Sequence, residues 1–137
     1  MKLCCYMLII SALIISCDTK KDYIQEVYVN EQIDLSLPVY SDISITGNSI
    51  FISGGVEGII IYHGIGNDYK AYDRNCSYNS CDECAYIDSV NSGIAYCGCC
   101  TSAFLLDQDG KAVNAPALIP LKQYYCILNG QILRIYN

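Results

Sequence analysis

The chain has 137 residues, with ten cysteines, thirteen tyrosines, one histidine and no tryptophan, at a net charge of −6. That length suits a single domain with one core. An acidic surface without a cluster of Lys and Arg argues against nucleic acid as a partner, because phosphate binding needs such a cluster.

Residues 1–16, MKLCCYMLIISALIIS, combine one early positive charge, Lys2, with an apolar run and a small residue before Cys17. This pattern predicts a secretory signal. The run is too short for a stable spanning helix, which needs about 20 apolar residues. Ile14-Ile-Ser-Cys17 resembles the lipobox of bacterial lipoproteins. That resemblance implies lipid on Cys17 and a chain anchored to a membrane on its non-cytoplasmic side. Residues 17–33 then read as lipid anchor and polar tether, and 34–137 as the folded domain.

Strand signals fill the remainder. Asp42–Thr46 and Ser49–Ser53 alternate apolar and polar residues with period two, and Gly54-Gly55 breaks the second run. Gly58-Ile-Ile-Ile-Tyr62 is a continuous apolar run suited to a central strand, followed by Tyr69–Tyr72. Asp109-Gly110 and Asn129-Gly130 are hairpin signals, the latter between Tyr125–Leu128 and Gln131–Tyr136. No segment sustains a helical period. The class is therefore all-β, with a cysteine-rich lobe over residues 76–121.

Cys4 and Cys5 leave with the signal, so seven cysteines remain besides Cys17: Cys76, Cys81, Cys84, Cys97, Cys99, Cys100 and Cys126. An odd number cannot pair completely. Cys126 sits in an apolar run and reads as a small hydrophobe. The other six crowd between positions 76 and 100. In an exported chain, disulfides are the default reading of such crowding, and metal ligation is the sharper one.

Two segments carry a family resemblance: Cys76-Ser-Tyr78-Asn-Ser-Cys81 and Cys97-Gly-Cys99-Cys100-Thr-Ser102-Ala-Phe104, with Asn114-Ala-Pro116-Ala-Leu-Ile-Pro120-Leu121 as a third loop. They resemble the cluster-binding and proline loops of Rieske-type iron–sulfur domains. Ala71-Tyr-Asp-Arg74 resembles the lead-in to the first loop. The resemblance implies an antiparallel β-sandwich with a small metal-site lobe, a [2Fe–2S] cluster, electron transfer and a redox partner. It implies Cys76 and Cys97 as cluster thiolates, a Cys81–Cys99 disulfide, and a hydrogen bond from Ser102 to the cluster. The family's two histidines are replaced by Tyr78 and Cys100, and the only histidine, His63, reads as a turn residue. A two-imidazole centre is thereby excluded. Cys100 then takes one ligand place, with Tyr78 or Cys84 as the fourth ligand.

A rival reading pairs Cys81-x2-Cys84 with Cys97-x2-Cys100 as zinc-ribbon-like knuckles joined by a hairpin over Tyr86–Tyr96. It leaves Cys76 and Cys99 without a role. The signal lacks an Arg-Arg pair, which suits export of an unfolded chain; zinc or disulfides alone would then need no cytoplasmic assembly. The alternative to an electron carrier is accordingly a non-redox binding or structural module held by disulfides or zinc. Catalysis fits poorly. Nothing ties His63 to a particular thiol, and Gly54-Gly-Val-Glu-Gly58 precedes a strand rather than a helix, so it is no phosphate cradle.

Overall fold

The computed structural model describes residues 24–137 apart from Cys81. The described residues form ten strands: β1 (Asn30–Asp34), β2 (Ser49–Ile52), β3 (Ile59–His63), β4 (Tyr69–Asp73), β5 (Ile87–Asn91), β6 (Ile94–Cys97), β7 (Ala103–Leu105), β8 (Lys111–Asn114), β9 (Gln123–Asn129) and β10 (Ile132–Tyr136). They build two antiparallel sheets, β1-β10-β9-β4-β3-β2 and β5-β6-β7-β8. The smaller sheet and its loops are the cysteine-rich lobe. Among the described residues, no helix is long and apolar enough to cross a membrane.

The unbroken apolar run of β3 has a simple cause: both of its faces are covered. Ile60 and Tyr62 pack into the core shared with the lobe, while Ile59 and Ile61 pack into the core beneath β9 and β10. Period-two geometry sends alternate side chains to opposite faces, so a strand covered twice must be apolar throughout.

β4 joins the two sheets by the same alternation. Lys70 donates to Asp107 O at 2.9 Å and to Asp109 at 2.8 Å. The Tyr72 hydroxyl donates to Leu106 O at 2.7 Å. Arg74, just past the strand, donates through Nε and Nη2 to Ile87 O at 3.0 and 2.9 Å, with its guanidinium 4.3 Å above the Phe51 ring. Residues 70, 72 and 74 thus clamp the lobe. Ala71 and Asp73 face the other way, towards Tyr124.

Three expectations change. Asp42–Thr46 is not a strand: Pro38–Ser44 is a 3-10 helix. A strand would put Ile43 and Ile45 on one face, but Ile43 is buried and Ile45 exposed. Pro38 pre-sets the first turn, and the Ser44 hydroxyl closes on Ser41 O at 2.6 Å.

The domain also begins before residue 34. Ile24 and Val29 are buried, and β1 pairs with β10 from Asn30↔Tyr136 to Asp34↔Ile132. Lys122 holds this segment through Glu26 at 2.8 Å. Residues 1–23, including the expected signal and Cys17, lie outside the described residues.

The hairpin loops shift as well. Register places Gly130-Gln131 between Asn129 and Ile132, with Gly130 at φ +63. The β7–β8 loop runs over residues 106–110, longer than two residues, with Asp109 and Gly110 both at positive φ.

Candidate metal centre

Three cysteines meet at the tip of the lobe. Cys76 follows β4, its N–H donating to Ala85 O at 2.7 Å. Cys97 ends β6, and Cys100 lies in the β6–β7 loop. Their three Sγ atoms lie within 4.8 Å of one another, and Cys76 Sγ and Cys100 Sγ are 3.9 Å apart. Cys76 is fully buried, Cys97 is 7% exposed and Cys100 is half-buried. Cys100 is the most exposed of the three.

Backbone N–H groups converge on these sulfurs. Tyr78 donates to Cys76, Cys99 and Cys100 donate to Cys97, and Ser102 donates to Cys100. Such donors stabilise sulfur as thiolate, the form that binds metal. Burial opposes them. It prevails at Cys76 and Cys97, whose thiols are pushed up; neighbouring sulfurs add to the effect at Cys76, while at Cys97 the Cys76 thiol opposes it and Cys100 adds to it. Burial also pushes Cys100 up, but the Ser102 hydroxyl and N–H, together with the Cys97 and Cys76 thiols, bring it below its ordinary range.

Three loops hold this geometry. Ser102, 1% exposed, accepts the Cys100 thiol at 3.1 Å and the Ala117 N–H at 2.9 Å. Ser102 thus ties the second cysteine loop to the proline loop, where the Ala115-Pro116 peptide is cis. Thr101 Oγ1 donates to Ala115 O at 2.8 Å. Buried Ser77 donates to Ile119 O at 2.7 Å, joining the first loop to the same segment.

Upstream, buried Asp73 orders the approach to Cys76. Its carboxylate accepts from Asn75 N and Val56 N, both at 2.7 Å, and from the Tyr124 hydroxyl at 2.6 Å. Gly55, at φ +64, passes so close that a Cβ there would lie 2.5 Å from Asp73 Oδ2. The glycine-rich segment therefore wraps a carboxylate belonging to the protein itself.

The expected site residues divide accordingly. Cys76, Cys97 and Cys100 come together. Cys84 does not join them, because it is bonded to Cys99 with their Cα atoms 5.2 Å apart. That bond replaces the Cys81–Cys99 pairing implied by the resemblance, and Cys81 lies outside the described residues. It also removes a knuckle from the zinc-ribbon reading, although the hairpin of that reading exists as β5–β6, turning at Ser92-Gly93. Tyr78 is half-buried against the lobe core. Ser102 bonds Cys100 directly. Cys126, half-buried on β9, has its thiol pushed up to about 12 by burial and by Asp68. His63 is buried at the end of β3, with Nε2 2.7 Å from Gly66 O and its ring stacked on Tyr69. Asp73 is the residue that sequence reasoning passed over. Its only signal was its place in the Ala71-Tyr-Asp-Arg74 lead-in.

No protein-family model matches the chain, and no curated protein does. Among solved structures it is similar to the ferredoxin of carbazole 1,9a-dioxygenase from Nocardioides aromaticivorans IC177, at 16% identity and a TM-score of 0.50, over 66% of this chain and 86% of that one. It is also similar to a chain in the complex of reduced oxygenase and oxidized ferredoxin in carbazole 1,9a-dioxygenase, at 11% identity and a TM-score of 0.52, over 82% of this chain and 94% of that one. At these identities the likeness bears on the fold alone, and the fold is that of the Rieske-type ferredoxins.

Proposed function

We propose that this chain is an exported protein, anchored by lipid on Cys17 to the non-cytoplasmic side of a membrane, that carries one electron at a time through a metal centre on Cys76, Cys97 and Cys100. The observation behind this reading is the convergence of three thiols within 4.8 Å at the tip of a Rieske-like lobe. A thiolate-bound iron centre would supply the redox chemistry. The chain supplies the rest: buried sulfurs, N–H donors that favour their thiolate form against the effect of burial, and a disulfide-stapled lobe that fixes their spacing. Leu118, 90% exposed in the proline loop, offers an apolar contact beside the site for a protein redox partner.

The two-imidazole [2Fe–2S] centre of the family does not fit these residues. Tyr78 and Cys100 stand at its histidine places, and the His63 ring is committed to Gly66 and Tyr69. A thiolate-rich set favours a low potential with little dependence on pH, because no imidazole ligand titrates.

The test is to isolate the chain from its native source and measure iron, zinc and free thiols, followed by a redox titration of its visible absorption. Iron with a reversible one-electron change supports the carrier. A colourless zinc protein would instead make it a structural or binding module. A metal-free chain would end both metal readings.

A further inference from the structure

We infer that the centre holds a single tetrahedral metal ion rather than a two-iron cluster, with Cys76, Cys97 and Cys100 as three ligands of that one ion. This rests on the reading above that these thiols bind metal.

The sulfur spacing carries the argument. With metal–sulfur bonds of about 2.3 Å, a tetrahedral ion holds its thiolates about 3.8 Å apart. Cys76 and Cys100 stand 3.9 Å apart, and no pair of the three exceeds 4.8 Å. The three sulfurs are therefore close enough together to serve as one face of a tetrahedron. In a two-iron cluster, protein ligands on different irons are held apart by the whole iron–sulfide core. The family pattern would place Cys76 and Cys97 on one iron and Cys100 on the other. Here Cys100 lies against Cys76 instead, and no assignment of two irons leaves one of these sulfurs standing apart.

Ser102 gives an independent observation. In the resemblance its hydroxyl serves a cluster sulfide. In this chain the same hydroxyl is taken by Cys100 Sγ at 3.1 Å and by the Ala117 N–H at 2.9 Å. The hydroxyl is thus engaged by a protein sulfur rather than left for an inorganic one. Charge agrees as well: three thiolates on a divalent ion leave one net negative charge, which the surrounding backbone N–H donors offset. Cys84 and Cys99 are bonded to each other and Cys126 lies on β9, so among the described residues no fourth cysteine joins the three. Soft thiolate donors in tetrahedral array suit iron or zinc.

The experiment is anaerobic titration of Co(II) into the metal-free folded chain, alongside iron and acid-labile sulfide analysis of protein from its native source. A single ion predicts saturation at one Co(II) per chain, with tetrahedral d–d and thiolate charge-transfer bands, and native metal near one per chain without sulfide. Cys76→Ser, Cys97→Ser and Cys100→Ser should each weaken Co(II) binding at least tenfold, while Cys126→Ser leaves it unchanged. Far-UV circular dichroism confirms that each variant folds. Two irons with two sulfides per chain would overturn the single-ion inference and leave the metal reading intact. No Co(II) uptake and no native metal would overturn both.

Discussion

Tyr124→Phe tests how the fold presents the cysteine loop. The Tyr124 hydroxyl donates to Asp73 at 2.6 Å, with Asp73 fully buried and Tyr124 3% exposed. Phenylalanine keeps the ring and its packing and removes only the hydroxyl. Water cannot screen the pair, and a hydrogen bond to a charged acceptor contributes about 1.5–3 kcal/mol. The backbone donors at Val56 and Asn75 remain, so the carboxylate is weakened but not orphaned. We expect a loss of about 1.5–3 kcal/mol, measured by urea unfolding with an unchanged m-value. In a domain of this size, roughly 4 °C per kcal/mol puts the fall in Tm at about 6–12 °C. A loss below about 0.5 kcal/mol would refute the view that Asp73 is an energetic anchor of the segment entering Cys76.

Other outcomes follow from the same structure. Burial, reinforced by nearby carboxylates, raises both Tyr72 and Tyr124 well above the ordinary phenol range. They stay neutral in the fold while the unfolded chain ionises from about pH 10, so stability present below that pH should fall as pH rises above it; Tyr72→Phe should flatten the decline in an alkaline melting series. Ser102→Ala removes the acceptor of the Ala117 N–H and the partner of Cys100, and should weaken metal binding about 10–100-fold in a chelator competition. Replacing Cys84 and Cys99 together by Ser opens a link of sequence separation 15, which should cost about 3 kcal/mol by denaturant unfolding while metal stoichiometry is kept. With its thiol pushed up to about 12 from an ordinary 9.0, Cys126 should react with iodoacetamide at pH 8 on the order of a thousandfold more slowly in the folded chain than after unfolding, as read by mass spectrometry.

Taken alone, the sequence determined the elements whose signal is local. Alternation along Ser49–Ile52, the apolar run of β3 and the glycine-marked C-terminal hairpin all follow from side-chain period and turn chemistry, which act over a few residues. It also identified the three cysteines that converge, because their places in two loops matched a known pattern. Partnership between distant segments was decided only by tertiary structure. Cys84 and Cys81 are equally plausible partners for Cys99 by spacing. The choice depends on which Cα lies 5.2 Å away, and that follows from how the first loop folds back along β5. Residues 24–33 read as a polar tether until β10 supplies an edge for β1 to pair with. Asp73 looks like one carboxylate among fourteen acidic residues until the glycine loop and Tyr124 close around it. The single-ion proposal likewise draws on tertiary structure alone. Composition supplies the thiols, but only their separation in space decides whether they surround one ion or two.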